Sequence, residues 1–318
     1  MRTLALLFVF GVFLLSGCAN QAPAAVNEAR VGTWKTAQTI QPFLYRNHLP
    51  ANFKLEVLPF TNPGDQKAAL LAGDLDMSGT TIALAITAAS RGEPVVVVGG
   101  LCNKCSALVV RNDANIHTPA GLRGKRIAYV PGTMHHILLL ETLSRAGLDP
   151  EKDVELKRID FFDMGQALAQ GAVDAFCSGE PYPALAVAKG YGRILAYPYY
   201  DNGVGAVNAG LLTTRANIDN NGELIQQLVT AHARSTEYLK ANPGEWLDMA
   251  AGFGTNRAVL DITAANIDLV WDLDKDYIRQ AANLAARMKE LGMISEIPDM
   301  EALFDLRFVE QARMELEL

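Results

Sequence analysis

Beyond residue 15 the chain has no uninterrupted apolar run of the roughly 20 residues that a bilayer crossing needs, so its main body is not read as membrane-spanning. It also lacks a surplus of positive charge: 28 Lys and Arg face 35 Asp and Glu, a net charge of -7. That balance argues against nucleic acid as a partner. No Ser-His-Asp spacing, phosphate loop or metal-hydrolase motif stands out, and no catalytic residue, metal ligand or cofactor is assigned. Cysteine is scarce. Beyond Cys18 there are only Cys102, Cys105 and Cys177, an odd number that leaves at least one thiol unpaired or bound to something else.

What is present begins at the amino end. Met1, Arg2 and Thr3 precede an apolar run over residues 4–15, followed by Ser16, Gly17 and Cys18. One charge, a short apolar core and small residues predict a secretory signal peptide over residues 1–17. The run Leu15-Ser16-Gly17-Cys18 resembles the bacterial lipobox, which implies that Cys18 is acylated and becomes the mature amino terminus. Acyl chains contribute about 0.8 kcal/mol per buried methylene, enough in combination to hold a domain at a membrane surface. Residues 18–27 are then a lipidated tether of small and polar residues.

The remaining length of about 300 residues suits two domains, and its periodicity predicts an α/β architecture. Residues 54–59 and 95–99 read as strands, and residues 38–48, 66–72 and 82–91 as helices. From residue 223 onward helical periodicity dominates, over residues 223–240, 262–271, 276–291 and 300–314. One segment occurs twice. Ala69-Leu70-Leu71-Ala72-Gly73-Asp74-Leu75-Asp76 is echoed by Ala167-Leu168-Ala169-Gln170-Gly171-Ala172-Val173-Asp174. Each copy reads as a helix closed by glycine and followed by a strand. Two similar lobes are the economical reading, and their strand-end loops should face one cleft.

These stretches, with Leu122-Arg123-Gly124-Lys125-Arg126-Ile127-Ala128 and Ala175-Phe176-Cys177-Ser178-Gly179-Glu180-Pro181, resemble the type 2 periplasmic solute-binding proteins of the nitrate, sulfonate, taurine and thiamine-precursor group. The resemblance implies two hinged lobes, each a mixed, mostly parallel sheet flanked by helices, with extra C-terminal helices. Lobe 1 is expected over residues 28–112 plus 208–318 and lobe 2 over residues 113–207. The function implied is that of the extracytoplasmic component of an ABC importer. It would be lipid-anchored and monomeric, and would capture a small molecule, such as a sulfonate or nitrate-like anion, for a permease and ATPase. Two alternatives stay open: an enzyme like the thiamine pyrimidine synthases, or a metal- or thiol-linked sensory lipoprotein on the same fold.

Candidate ligand contacts follow from position. Trp34 and Gln38 follow the first strand and offer an aromatic face and an amide. Thr80, Thr81 and Thr133 stand where helices should begin, so free N–H groups and the helix dipole would favour an anion there; plain N-capping would use the same residues. His135 lies in the first turn after Thr133. Glu180 and Tyr182 occupy the loop after the second repeated strand, where ligand contact and interlobe bonding compete. Asn208 lies where the chain returns to lobe 1. Cys102-Asn103-Lys104-Cys105 sits between two apolar runs and suggests a hairpin tip; the resemblance implies that this loop, with Cys105 as a candidate contact, and Cys177 lie near strand ends facing the cleft. A disulfide, a soft-metal site with Cys177 and packed free thiols all remain open.

Overall fold

The computed structural model describes residues 28–200 and 203–317; the signal peptide, Cys18 and the tether expected over residues 1–27 lie outside them. Among the described residues, eleven strands form two sheets. The first contains β1 (Glu28–Thr33), β2 (Lys54–Pro59), β3 (Met77–Thr81), β4 (Val95–Lys104), β10 (Val207–Thr214) and β11 (Ile267–Leu269), in the order β11-β4-β10-β3-β1-β2. The second contains β5 (Ser106–Arg111), β6 (Arg126–Tyr129), β7 (Glu155–Arg158), β8 (Ala175–Gly179) and β9 (Gly192–Ala196), in the order β7-β6-β8-β5-β9. The helices are α1 (Pro63–Leu71), α2 (Ile82–Ser90), α3 (Met134–Arg145), α4 (Phe161–Ala169), α5 (Tyr182–Ala188), α6 (Arg215–Ala241), α7 (Pro243–Ala251), α8 (Arg257–Ala264), α9 (Lys275–Glu290), α10 (Met300–Leu303) and α11 (Arg307–Leu316).

The sequence repeat is a structural repeat. Gly73 and Gly171 both end a helix with positive φ, 81° and 71°, a conformation that a β-carbon would strain. Three residues past each glycine, an aspartate ties the following strand to its neighbour in the same way. Asp76 accepts from the Arg30 amide at 2.8 Å while its own amide donates to Arg30 O; Asp174 does the same with Arg126 at 3.0 Å. The same Arg–Asp pairing therefore fixes the register of β1 against β3 and of β6 against β8.

The two sheets differ from the expected boundaries in one instructive way. The strand expected to end lobe 1 at residue 112, β5, lies in the second sheet, antiparallel to β8 and β9. The return segment, assigned to lobe 1 from residue 208, supplies β10, which lies antiparallel between β3 and β4 in the first sheet. Each sheet thus receives one inserted strand, and among the described residues only the β1, β2, β3 and β6, β7, β8 ladders are parallel. The chain crosses from lobe 1 to lobe 2 at Cys105 and returns between β9 and β10. Residues 102–105 are consequently not a hairpin tip, because the runs flanking them belong to different sheets. Lys104 and Cys105 turn the chain with φ of 61° and 59°.

Three helical expectations need correction. Residues 37–47 form two short 3-10 helices, Ala37–Thr39 and Gln41–Asn47, rather than one α-helix. The helix expected over residues 262–271 ends at Ala264, and Ile267–Leu269 pairs with the edge of β4. An open ladder there satisfies backbone groups that a helix would have satisfied internally. Residues 300–314 are split into α10 and α11. The segment expected from residue 223 begins just past Asn221, whose non-helical φ and ψ break α6 in two.

The largest core runs through lobe 1, where α2, α6, α9 and α11 bring Ile86, Leu228, Leu284 and Val309 onto the first sheet. Lobe 2 has two smaller clusters, one on each face of its sheet, centred on Leu108, Ile127 and Leu143 and on Val109, Met164 and Phe176. Among the described residues no helix is long and apolar enough to cross a membrane.

Candidate functional site

A cavity of about 270 Å³ opens between the lobes. Lobe 1 contributes Trp34, Gln38, Phe60, Thr81, Asn208 and Phe253, and lobe 2 contributes Thr133, His135, Phe161, Phe162, Glu180 and Tyr182, with Cys102 and Cys105 beside the crossing. The walls follow from topology, because β1, β2, β3, β6, β7 and β8 all end here and their loops point into the same gap.

Nine of the ten residues singled out from the sequence line this cavity. Thr80 does not. It lies within β3 opposite Gly210 and is buried, with a hydroxyl that meets no partner; strand alternation turns it away from the loop end where Thr81 stands. Thr81 caps α2 by accepting from the Leu84 amide at 3.3 Å, and Thr133 caps α3 by accepting from the His136 amide at 3.3 Å. One helix start from each lobe therefore faces the cavity.

Two polar atoms on the wall are buried without partners: the Trp34 Nε1 donor and the Gln38 Oε1 acceptor. The other end of the Gln38 amide donates to Glu180 O at 2.7 Å, across the lobes. Such orphaned groups are uncommon inside folded proteins, and a ligand able to meet them would be favoured here. His135 is anchored through Nδ1 to Ser106 Oγ at 2.8 Å and meets Phe161 edge-on. Burial lowers its pKa to about 4, so it is a neutral imidazole at neutral pH. Gly179 makes this placement possible, since a β-carbon there would come within 2.8 Å of the His135 ring.

Glu180 serves the lobe junction. Its carboxylate accepts from Asn266 Nδ2 at 3.1 Å and Thr263 Oγ1 at 3.4 Å, both from lobe 1, and from the Ala184 amide of the following helix α5 at 3.2 Å. Burial pushes its pKa up to about 7, against those three hydrogen bonds. Asn208 donates to Lys104 O at 2.5 Å and to Cys105 Sγ at 3.2 Å, so it also ties the return segment to the outgoing crossing. Tyr199, which the sequence did not single out, completes this junction by donating to Ser106 O and Asn266 Oδ1. On the far side Glu141 of α3 pairs with Arg287 of α9 at 2.6 Å, another bond between lobes.

Cys102, Cys105 and Cys177 are all free, buried thiols. Of the alternatives left open, a convergence of all three on the cleft is not found: Cys102 and Cys105 line the cavity, whereas Cys177 packs into the Leu108 cluster of lobe 2. The aromatic wall was largely missed. Phe60 follows β2, and Phe161 and Phe162 follow β7; the strand-end rule, extended to the second strand of each repeat, would have found all three. Phe253 lies past α7 and carries no comparable local signal. Tyr182 stacks parallel to Phe161, centroids 6.5 Å apart, and meets Phe162 edge-on.

Two α/β lobes, each with a strand inserted between its third and fourth, and a cleft at their junction define the two-lobed architecture of periplasmic binding proteins. The chain matches the family model described as NMT1/THI5 like over residues 50–246 and belongs to that family. It is 28% identical to the putative aliphatic sulfonates-binding protein of Escherichia coli over 242 residues, 74% of each chain. Its fold is similar to that of the periplasmic nitrate-binding protein NrtA of Synechocystis, with a TM-score of 0.76 at 15% identity, covering 92% of this chain and 90% of that one. Over a shorter stretch of 98 residues it is 33% identical to the 4-amino-5-hydroxymethyl-2-methylpyrimidine phosphate synthase of Schizosaccharomyces pombe, covering 30% of this chain and 28% of that protein.

Proposed function

We propose that this protein is the extracytoplasmic solute-binding component of an ABC importer, capturing a small organic anion between its lobes and presenting it to a membrane permease with its ATPase. The observation that carries the reading is a single cavity walled by both lobes, with one helix N-terminus from each directed at it. Helix starts favour negative charge. The aromatic side chains of Trp34, Phe60, Phe161, Phe162, Tyr182 and Phe253 favour an organic body over a bare inorganic ion, because a ligand that leaves those faces wet gains little from their burial. Trp34, Gln38, Thr81, Thr133, His135, Tyr182 and Asn208 are the proposed ligand contacts, with Glu180 and Cys105 acting at the lobe junction. Ligand contacts from two lobes coexist only when the lobes are together, so binding shifts the population toward closure. Acylation of Cys18 would hold the monomer at the membrane.

The similarity to the pyrimidine phosphate synthase favours one alternative, an enzyme on the same fold. A thermal-shift series with taurine, benzenesulfonate and nitrate, followed by small-angle scattering, separates the readings. The expected outcome is a raised melting temperature with an organic sulfonate, a smaller radius of gyration, and recovery of the ligand unchanged. Recovery of a converted product would establish the enzyme instead, and binding without compaction would remove the closure mechanism.

A further inference from the structure

The crossing from lobe 1 to lobe 2 carries chemistry that ligand capture does not use. Cys102 is near the end of β4, Cys105 is the residue at which the chain leaves the first sheet, and both thiols line the cavity. The neighbouring Cys102 thiol and burial together hold the Cys105 thiol well above its ordinary range. Between and at them the backbone takes two successive left-handed φ values at Lys104 and Cys105; among the described residues only Glu317 is another non-glycine with positive φ. Three consecutive amides at this joint are bonded to the opposite crossing or to the lobe junction: Lys104 to Ala206 O, Cys105 to Asn266 O, both at 2.7 Å, and Ser106 to Tyr199 Oη at 2.6 Å. The third thiol, Cys177, lies apart from the cavity.

We propose that Cys102 and Cys105 form a reversible dithiol–disulfide pair, oxidised through the cleft by a small disulfide, and that the bond stiffens the first interlobe crossing. In the forward step the Cys102–Cys105 S–S bond forms and the S–S bond of the small disulfide breaks. The protein gives up two thiol hydrogens and their electrons, and the oxidant leaves as two thiols. The protonated state of the buried Cys105 slows the first attack, since the thiolate is the nucleophile, so exchange is slow at neutral pH and faster in mild alkali. Once formed, the bond ties the end of β4 to the turning residue and removes freedom where lobe motion must be absorbed.

The full chain, treated with oxidised glutathione at pH 8.5 and then blocked and digested with trypsin, tests this directly. Cleavage after Lys104 places the two cysteines on separate peptides, residues 92–104 and 105–111, which stay joined only by the proposed bond. The expected result is the joined pair, lost again on reduction and still formed in Cys177→Ala. Amide hydrogen exchange at Cys105 and Ser106 should slow by about tenfold or more in the oxidised form, as expected when a local opening is restrained. The proposal is overturned if the two peptides separate after oxidation, if Cys177 is the partner found, or if the joined protein exchanges at the crossing as fast as the reduced one. None of these outcomes depends on which solute the cleft binds.

Discussion

The two repeated units share a frame and differ at their tips. Their helix ends, Gly73 and Gly171, and their register-setting carboxylates, Asp76 and Asp174, are 98 positions apart in sequence and do the same work in each lobe. Asn62 and Asp160, separated by the same interval, stand at the N-caps of α1 and α4. Past the strands the likeness stops. Thr81 caps a helix in lobe 1, whereas the matching position in lobe 2 is Gly179, followed by the Glu180 that reaches across to Asn266. A frame can be used twice because its contacts stay within one repeated unit; a cleft needs two unlike faces.

The sharpest break of this comparison lies inside the strands. Phe176 and Ser78 occupy matching places in β8 and β3 and both are fully buried. Phe176→Ala should destabilise the protein by about 3–5 kcal/mol by leaving a cavity. Ser78→Ala should leave stability within about 1 kcal/mol of wild type, since its hydroxyl meets no partner. Denaturant unfolding of the two variants measures the difference, and equal losses would show that the repeat is packed alike in both lobes.

The tips differ in their response to acid. Glu180 titrates near 7 when folded, against an ordinary value of 4.5. Between those values the folded protein retains a proton that the unfolded chain has released, so the contribution of Glu180 is fully present below about 4.5 and is lost as pH rises through about 7. Glu180→Gln should flatten that part of the stability–pH curve, whereas no matching carboxylate exists in lobe 1, where Ile82 stands in its place. Unfolding free energies at intervals from pH 4 to pH 8 test it; a curve for Glu180→Gln that falls as steeply as wild type would remove the assignment.

The smallest effect separates the two register-setting carboxylates. Asp174 accepts from the Arg126 amide and from two nitrogens of its guanidinium, whereas the Asp76 side chain accepts from the Arg30 amide alone. Asp174→Ala should cost about 2 kcal/mol and Asp76→Ala about 1 kcal/mol, measured by the same unfolding titration. A larger loss at Asp76 would mean that the guanidinium contributes little at that exposed edge.

Much of this organisation is written locally. The glycine stops, the repeat, the strands at 54–59 and after residue 95, and most loop-end site residues were legible because turn chemistry, strand alternation and the helical period act within a few residues. Trp34, Thr81, Thr133 and Glu180 could be placed at one gap because strand ends in such sheets share a side. Partner choice between distant segments was not legible. An apolar run, a short break and a second apolar run look the same whether the strands pair as a hairpin or part into two sheets, as β4 and β5 do. The bonds between Glu180 and Asn266, the Phe253 wall and the separation of Cys177 from the other two thiols depend on segments far apart in sequence. Local propensity determined the pieces and their ends, and burial and hydrogen-bond pairing between remote segments decided which lobe each piece joined and which side chains met in the cleft.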